Sequence, residues 1–181
     1  MMQAPKQNSV GQSQSVWRLD QTHTTVEFTA KKLFFFSVKG CLKEFDGTIV
    51  LDERAIENSS VEATMVAKSV NTGNRKRDAQ LSASFLEADN YPKIEFRSER
   101  VGPGKDRDML NINGALTIKD RSQPVLLEVT EIDRSRSPNG EEVIYYVAQT
   151  EIDRFDFGIN QWRGVIGPKL KVVINVQANR I

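Results

Sequence analysis

Apolar residues recur at every second position in a series of short segments separated by turns. The pattern runs through Val26/Phe28/Ala30, Gly47/Ile49/Leu51, Val61/Ala63/Met65/Ala67 and Ile94/Phe96. It returns in Leu110/Ile112/Gly114/Leu116/Ile118, Val125/Leu127/Val129, Val143/Tyr145/Val147 and Leu170/Val172/Ile174/Val176/Ala178. A period of two gives each strand one apolar face. About eight such strands in a chain of this length predict an all-β fold, a closed barrel or a sandwich. A barrel of that size either fills with side chains or holds one small ligand, and that choice decides function.

One long stretch breaks the pattern. From Ser69 to Pro92 the alternation disappears, and the residues of Arg75–Ser84 fit a short helix better than a strand. Pro92 closes this crossover by forcing Tyr91 to extended geometry. Asp20–Thr24, Glu57–Ser60, Gly102-Pro103-Gly104 and Pro138-Asn139-Gly140 read as turns. Gly47, after Phe45 and Asp46, reads as mid-strand or at a bulge.

Composition narrows the classes. The 181 residues carry 25 basic and 24 acidic side chains, net +1, which gives no reason to expect a nucleic-acid partner or an anionic-membrane surface. One Cys and one His exclude an intramolecular disulfide and an ordinary zinc site, and no cofactor fingerprint is present. Residues 1–15, rich in Gln, Ser and Asn, are expected to be a disordered tail, with one domain over 16–181. The tail has no apolar core to act as a secretory signal, and Leu33–Phe36 is too short to span a bilayer. The chain is therefore expected to be cytoplasmic, or periplasmic if a signal has been removed.

Few residues suggest chemistry. His23, in a turn before a strand, reads as a hydrogen-bonding group at the barrel mouth, with general base as the competing role. Cys41 reads as a small buried apolar filler. Arg75–Asp78 reads as a solvated face, or as contact with a polar ligand head. Arg154, Asp156, Asn160 and Trp162 cluster where a strand passes into a loop, predicting a buried or half-buried ion pair that fixes the loop. Phe34, Phe35 and Phe36 cannot all face one side of a strand, so at least one is expected to be exposed or to line an opening. An exposed aromatic patch often marks a binding mouth or an oligomer contact.

The order of several motifs resembles the YceI-like family of polyisoprenoid-binding, lipid-binding domains. Those motifs are Trp17-x-Leu19-Asp20-x-x-His23-Thr24-x-Val26-x-Phe28, Phe45-Asp46-Gly47, Ser69-Val70-Asn71-Thr72, Arg77-Asp78-x-x-Leu81 with Phe85, and Tyr91-Pro92-x-Ile94-x-Phe96-x-Ser98. Gly114-x-Leu116-Thr117-Ile118-Lys119, Gln123-Pro124-Val125, Arg154-x-Asp156-Phe157-Gly158 and Gly167 complete the series. Three positions depart from the family pattern. Gln80 stands where a His follows Arg-Asp-x, Lys31/Lys32 replace a second His, and Asp120 replaces a Gly. The two lost imidazoles bear on headgroup preference.

The resemblance implies an antiparallel lipocalin-like barrel with a helix in a crossover, and a long isoprenoid or acyl chain in its lumen. It also implies a homodimer, as is common among relatives. Phe28, Phe36, Ile49, Met65, Phe96, Leu116, Val147 and Ile174 are the expected lumen residues. His23, Arg77, Asp78, Arg154 and Trp162 are the expected polar groups at the mouth. The leading expectation is non-enzymatic binding of a polyisoprenoid, isoprenoid quinone or similar lipid, for transport, storage or sequestration. Two others stay open: an enzyme acting on a lipid-like or quinone substrate with His23 as base, and a packed barrel that contacts proteins through Phe34–Phe36.

Overall fold

The structure, a computed structural model, describes residues 13–181. Eleven strands form one antiparallel sheet: β1 (Gln14–Leu19), β2 (Thr25–Lys32), β3 (Phe36–Leu42), β4 (Phe45–Asp52), β5 (Ser60–Val66), β6 (Val70–Asn71), β7 (Lys93–Pro103), β8 (Met109–Ile118), β9 (Arg121–Arg136), β10 (Glu142–Asp153) and β11 (Ile166–Arg180). Eight of them close a barrel in the order β1-β4-β5-β7-β8-β9-β10-β11, with β11 returning to β1. The expected tail begins to fold early, because Gln14 and Ser15 already belong to β1. Residues 1–12 of that segment lie outside the described residues.

The length of β11 decides the architecture. Its 15 residues span roughly 50 Å at 3.3 Å per residue, and the six residues of β1 cover less than half of that edge. The far end of β11 pairs with β1 through Leu19↔Ala178, Arg18↔Asn179 and Trp17↔Arg180. The near end pairs with β2, from Ile166↔Lys32 to Asn175↔Thr25. Asp20 and Thr24 join the two ladders. The Asp20 amide donates to the Gln177 carbonyl (2.8 Å), and the Thr24 hydroxyl donates to that same oxygen (2.9 Å). The Gln177 amide in turn donates to the Thr24 hydroxyl (3.1 Å). Thr24 is buried, so its hydroxyl bridges the point where neither strand supplies a backbone partner.

The β2–β3 hairpin therefore flares away from the ring, with β6 on its outer edge through Cys41↔Asn71 and Leu42↔Val70. From β6 the chain turns into α1 (Arg75–Gln80), which continues as one wider turn over Leu81–Phe85. Asn74 starts this helix by accepting from the Arg77 amide (3.0 Å), as an N-cap should. Gly47 sits in regular register opposite Ala63, without a bulge, and admits the Leu19 side chain that a Cβ there would strike at 2.7 Å. Cys41 is half-buried rather than buried, because β3 is an outer strand.

The interior divides in two. At the closed end Trp17, Leu51, Phe96, Val101, Ile112, Leu127, Val129, Ile144, Tyr146, Ala148 and Ala178 fill the ring. A second cluster, including Val26, Phe45, Met65, Ile94, Ile118, Ile152 and Phe157, lines the flared end. Leu19, Leu116, Val125 and Ile174 pack against both. Beyond the closed end lies a charged cluster in which Arg134 pairs with Glu131 and Glu53, and Arg180 and Arg136 pair with Glu142.

The Tyr146 phenol, inside this packed end, is pushed up to about 12 by burial and by the neighbouring Glu131 carboxylate. A folded value above the unfolded one, near 10, means the unfolded chain loses the proton first as pH rises. Stability is expected to fall by about 2 kcal/mol between pH 10 and 12 on this account. Denaturant titrations across that range check it: Tyr146→Phe should flatten this part of the pH profile, and an unchanged slope would contradict the assignment.

Candidate functional site

The flared end encloses a cavity of about 470 Å³, within the roughly 300–1,000 Å³ typical of small-molecule sites. Its walls come from the inward set of each surrounding strand. Val26, Phe28, Ala30 and Lys32 face it from β2, and Val38 and Leu42 from β3. Ile166, Leu170 and Val172 contribute from β11, Leu116 and Ile118 from β8, and Ile152 from β10. Leu81 and Phe85, spaced i and i+4, close the roof from the turn that follows α1. The Phe28 ring lies across Gly40, its cross-strand partner, where a Cβ would come within 2.4 Å of the ring. The floor is the boundary with the packed half, where Leu116 touches both sides.

The opening carries the polar groups. Lys32, Asn74, Lys76, Gln80 and Trp162 line the cavity and also reach solvent, so they mark its rim. Arg77 lines it as well. Its Nε donates to the Thr72 hydroxyl (2.7 Å) and its Nη2 to the Thr72 carbonyl (2.9 Å). Thr72 passes that hydroxyl's proton toward Asp78 Oδ1 (2.6 Å), which also accepts from the Thr72 amide (2.8 Å). The result holds the Arg77 guanidinium at the rim, while Asp78 stands behind it and does not line the cavity. Gln80, where the resemblance expects an imidazole, falls at the rim, and of the Lys31/Lys32 pair that replaces the second one Lys32 lines the cavity.

Arg154 organises the loop that completes the opening. It is 2% exposed, and it donates to four backbone carbonyls: Gly167 (3.0 Å), Ile159 (2.9 Å), Gln161 (2.7 Å) and Ile166 (2.8 Å). The loop-fixing role expected of this cluster holds, but its chemistry is different. Carbonyls, not a carboxylate, satisfy the guanidinium, and Asp156 is exposed. A rigid planar fork with five donors suits this arrangement, whereas an ammonium does not. Burial, with the nearby charge of Arg163, lowers the Arg154 pKa from its ordinary value. Phe155 is clasped between the two guanidiniums, at 4.7 Å from Arg154 and 4.2 Å from Arg163. Gln161 then ties the loop to the helical roof by donating to the Ser84 carbonyl (2.7 Å).

Of the residues singled out from sequence, Phe28, Met65, Leu116, Arg77, Arg154 and Trp162 meet at this cavity. The others lie elsewhere. Phe96 is in the packed core, Ile49 packs against it, and Ile174 sits at the boundary between the two halves. Val147 is half-buried on the opposite face of β10, because Ile144, Tyr146, Ala148 and Ile152 turn inward. Phe36 is in phase with Val38 and Leu42 but lies at the hairpin tip, 64% exposed. His23 sits at the start of β2, the far end from Lys32, with its Nδ1 3.2 Å from Asp20. It is a turn residue and not a group at the opening. Val26, Ala30 and Lys32 were missed although they share Phe28's phase, and Leu81 and Phe85 although their spacing suits a helix.

Comparison with known proteins places this architecture. The YceI-like domain profile matches residues 17–178. The chain belongs to the YceI-like family. Protein YceI of Shigella flexneri is 33% identical over 156 residues, covering 86% of this chain and 81% of that protein. The Salmonella newport protein of the same name is 31% identical with the same coverage. Among solved structures, Campylobacter jejuni YceI aligns with TM-score 0.71 and 26% identity over 82% of this chain and 88% of that one. Burkholderia cenocepacia BcnA shares the fold, with TM-score 0.79, 19% identity and coverage of 88% and 98%. So does a polyisoprenoid binding domain from Saccharophagus degradans, with TM-score 0.66, 13% identity and coverage of 91% and 98%. Among the described residues no helix is long and apolar enough to cross a membrane.

Arg154→Lys should destabilise this YceI-like barrel by about 2–4 kcal/mol, since one ammonium cannot satisfy four separate carbonyls in a buried site. Urea denaturation measures the loss, and hydrogen exchange should show faster exchange at Val165 and Ile166. Unchanged stability and protection would contradict the account of the loop.

Proposed function

We propose that this YceI-like protein binds a long-chain amphiphile, of isoprenoid or similar lipid type, with its tail in the half-barrel cavity. The observation that carries the reading is the division of the interior: the closed end is packed and the flared end is walled by apolar side chains around an open volume. The name of the Saccharophagus relative points the same way. Each methylene taken from water contributes about 0.8 kcal/mol, or roughly fourfold in affinity, until the cavity is full. Such a lumen selects for tail length more than for tail chemistry.

The headgroup would sit at the rim, among Lys32, Lys76, Arg77 and Gln80. Three of these four groups are cationic, which favours an anionic or strongly dipolar head. The function is binding rather than catalysis. His23, the base that an enzymatic reading requires, is at the wrong end of β2 and hydrogen-bonds only within its own turn. Holding the cargo for transport, storage or sequestration is the role this arrangement would serve.

Native mass spectrometry before and after organic extraction tests the reading. A stoichiometric lipid mass is expected, and it should be lost on extraction. Ala30→Phe, which projects a ring into the cavity from β2, should lower retention of that lipid at least about tenfold. The thermal midpoint of the extracted variant should stay close to that of the extracted parent. A ligand-free mass that stays unchanged after incubation with polyprenyl lipids and ubiquinone would overturn the proposal.

A further inference from the structure

At the open end of the cavity, the β2–β3 hairpin projects past the barrel and carries Leu33, Phe34, Phe35 and Phe36. Phe34 and Phe35 are 88% and 89% exposed, and they make no contribution to either core cluster. The tip is rigidly shaped for side chains that pack on nothing. Leu33 and Phe34 both adopt left-handed backbone angles, φ 50° and 65°, which are costly for bulky residues. The Leu33 amide is anchored to the Val165 carbonyl (2.8 Å), in the same loop that holds Trp162, 51% exposed at the rim. Hairpin tip and rim aromatic are thus joined by a hydrogen bond.

The charge around this tip is one-sided, although the chain as a whole is balanced. Between Glu27 and Glu44 the sequence carries Lys31, Lys32, Lys39 and Lys43 and no acidic residue. Between Asp156 and Val176 it carries Arg163, Lys169 and Lys171, of which Lys169 pairs with Asp153 and Lys171 lies across from Glu151 of β10. The register brings the two stretches together, because Thr29 of β2 lies between Lys39 of β3 and Lys171 of β11. Among the described residues, Lys31, Lys32, Lys39 and Lys171 have no carboxylate in ion-pair distance.

Exposed aromatics ringed by unpaired lysines match a lipid–water interface, where rings enter the headgroup layer and cations meet anionic lipid. We infer that the β2–β3 hairpin tip, with Trp162, docks this protein on an anionic lipid bilayer and so sets the cavity opening against the membrane surface. A protein partner would need an apolar groove with carboxylates set around it, whereas an anionic bilayer offers apolar depth and negative charge at every point of its surface. Docking goes beyond the cargo reading, since vesicle binding does not require an occupied lumen.

Sedimentation with phosphatidylglycerol-containing and pure phosphatidylcholine vesicles tests this. The protein should pellet with the anionic vesicles and release as salt rises. Phe34→Ser with Phe35→Ser, both on exposed positions, should weaken binding at least about tenfold while leaving the thermal midpoint unchanged. Lys31→Gln with Lys39→Gln should remove most of the preference for anionic vesicles. Brominated lipids should quench Trp162 and spare Trp17, which is buried at the closed end. The inference is overturned by failure to bind anionic vesicles, by full binding in the Phe34/Phe35 variant, or by light scattering that shows the tip burying itself in a second copy. A protein that ignores vesicles yet retains extractable lipid would lose docking alone and keep the cargo reading.

Discussion

β10 pairs along nearly the whole of one edge of β11, but the opposite edge is shared between β1 and β2, and the rest of the molecule follows from how that edge is divided. β1 takes the far end and closes the ring, while β2 takes the near end and leads the chain outward. The switch between them is made by the Asp20 amide and the Thr24 hydroxyl, against one residue of β11, Gln177. Had β1 run the full length of β11, the ring would have closed along its whole height. The split instead displaces β2 and β3 from the ring, and the space behind them becomes the cavity.

A flared barrel has an obvious weakness, since its open end lacks the continuous ladder that stabilises the closed one. Three devices compensate. The roof formed by α1 and the turn after it spans from β6 toward the 158–166 loop, where Gln161 receives it. Arg154 threads that loop by four carbonyls, converting a buried cation from a liability into a clamp. Thr72 and Asp78 do the same on a smaller scale for Arg77. The Arg77 guanidinium is itself held by a hydroxyl and a backbone oxygen, with Asp78 reaching it only through Thr72, so its charge stays at the rim where a ligand head would meet it.

The antiparallel barrel and the crossover helix are legible in the period-two pattern and its one interruption, whereas the short β6 and the division of the eleven strands into ring and hairpin are not. What the pattern conceals is depth. Phe28 and Phe96 look alike in sequence, each mid-strand and each laid over a cross-strand region containing glycine, yet one walls the cavity and the other fills the core. Leu170, Val172 and Ile174 share a face of β11, and only their height along the barrel separates lining from boundary. Period also fails where both faces are apolar: in Val143–Ala148 either phase fits, and Val147 belongs to the outer one. The misplacement of His23 has a different cause, because the turn it occupies could lie at either end of a barrel until the pairing of β2 is known. Arg154 was visible as a loop-fixing residue, but not its partners, since backbone carbonyls leave no trace in a sequence.

The central claim is that the split of β11 leaves the flared half of this YceI-like barrel hollow and able to take a chain. The most direct measurement is a crystal structure of the protein purified without lipid extraction. The account predicts continuous electron density rising from Leu116 past Phe28 and Phe85 to the rim at Trp162. A lumen closed by inward collapse of Phe28, Met65 and Phe85, with no density between them, would contradict it.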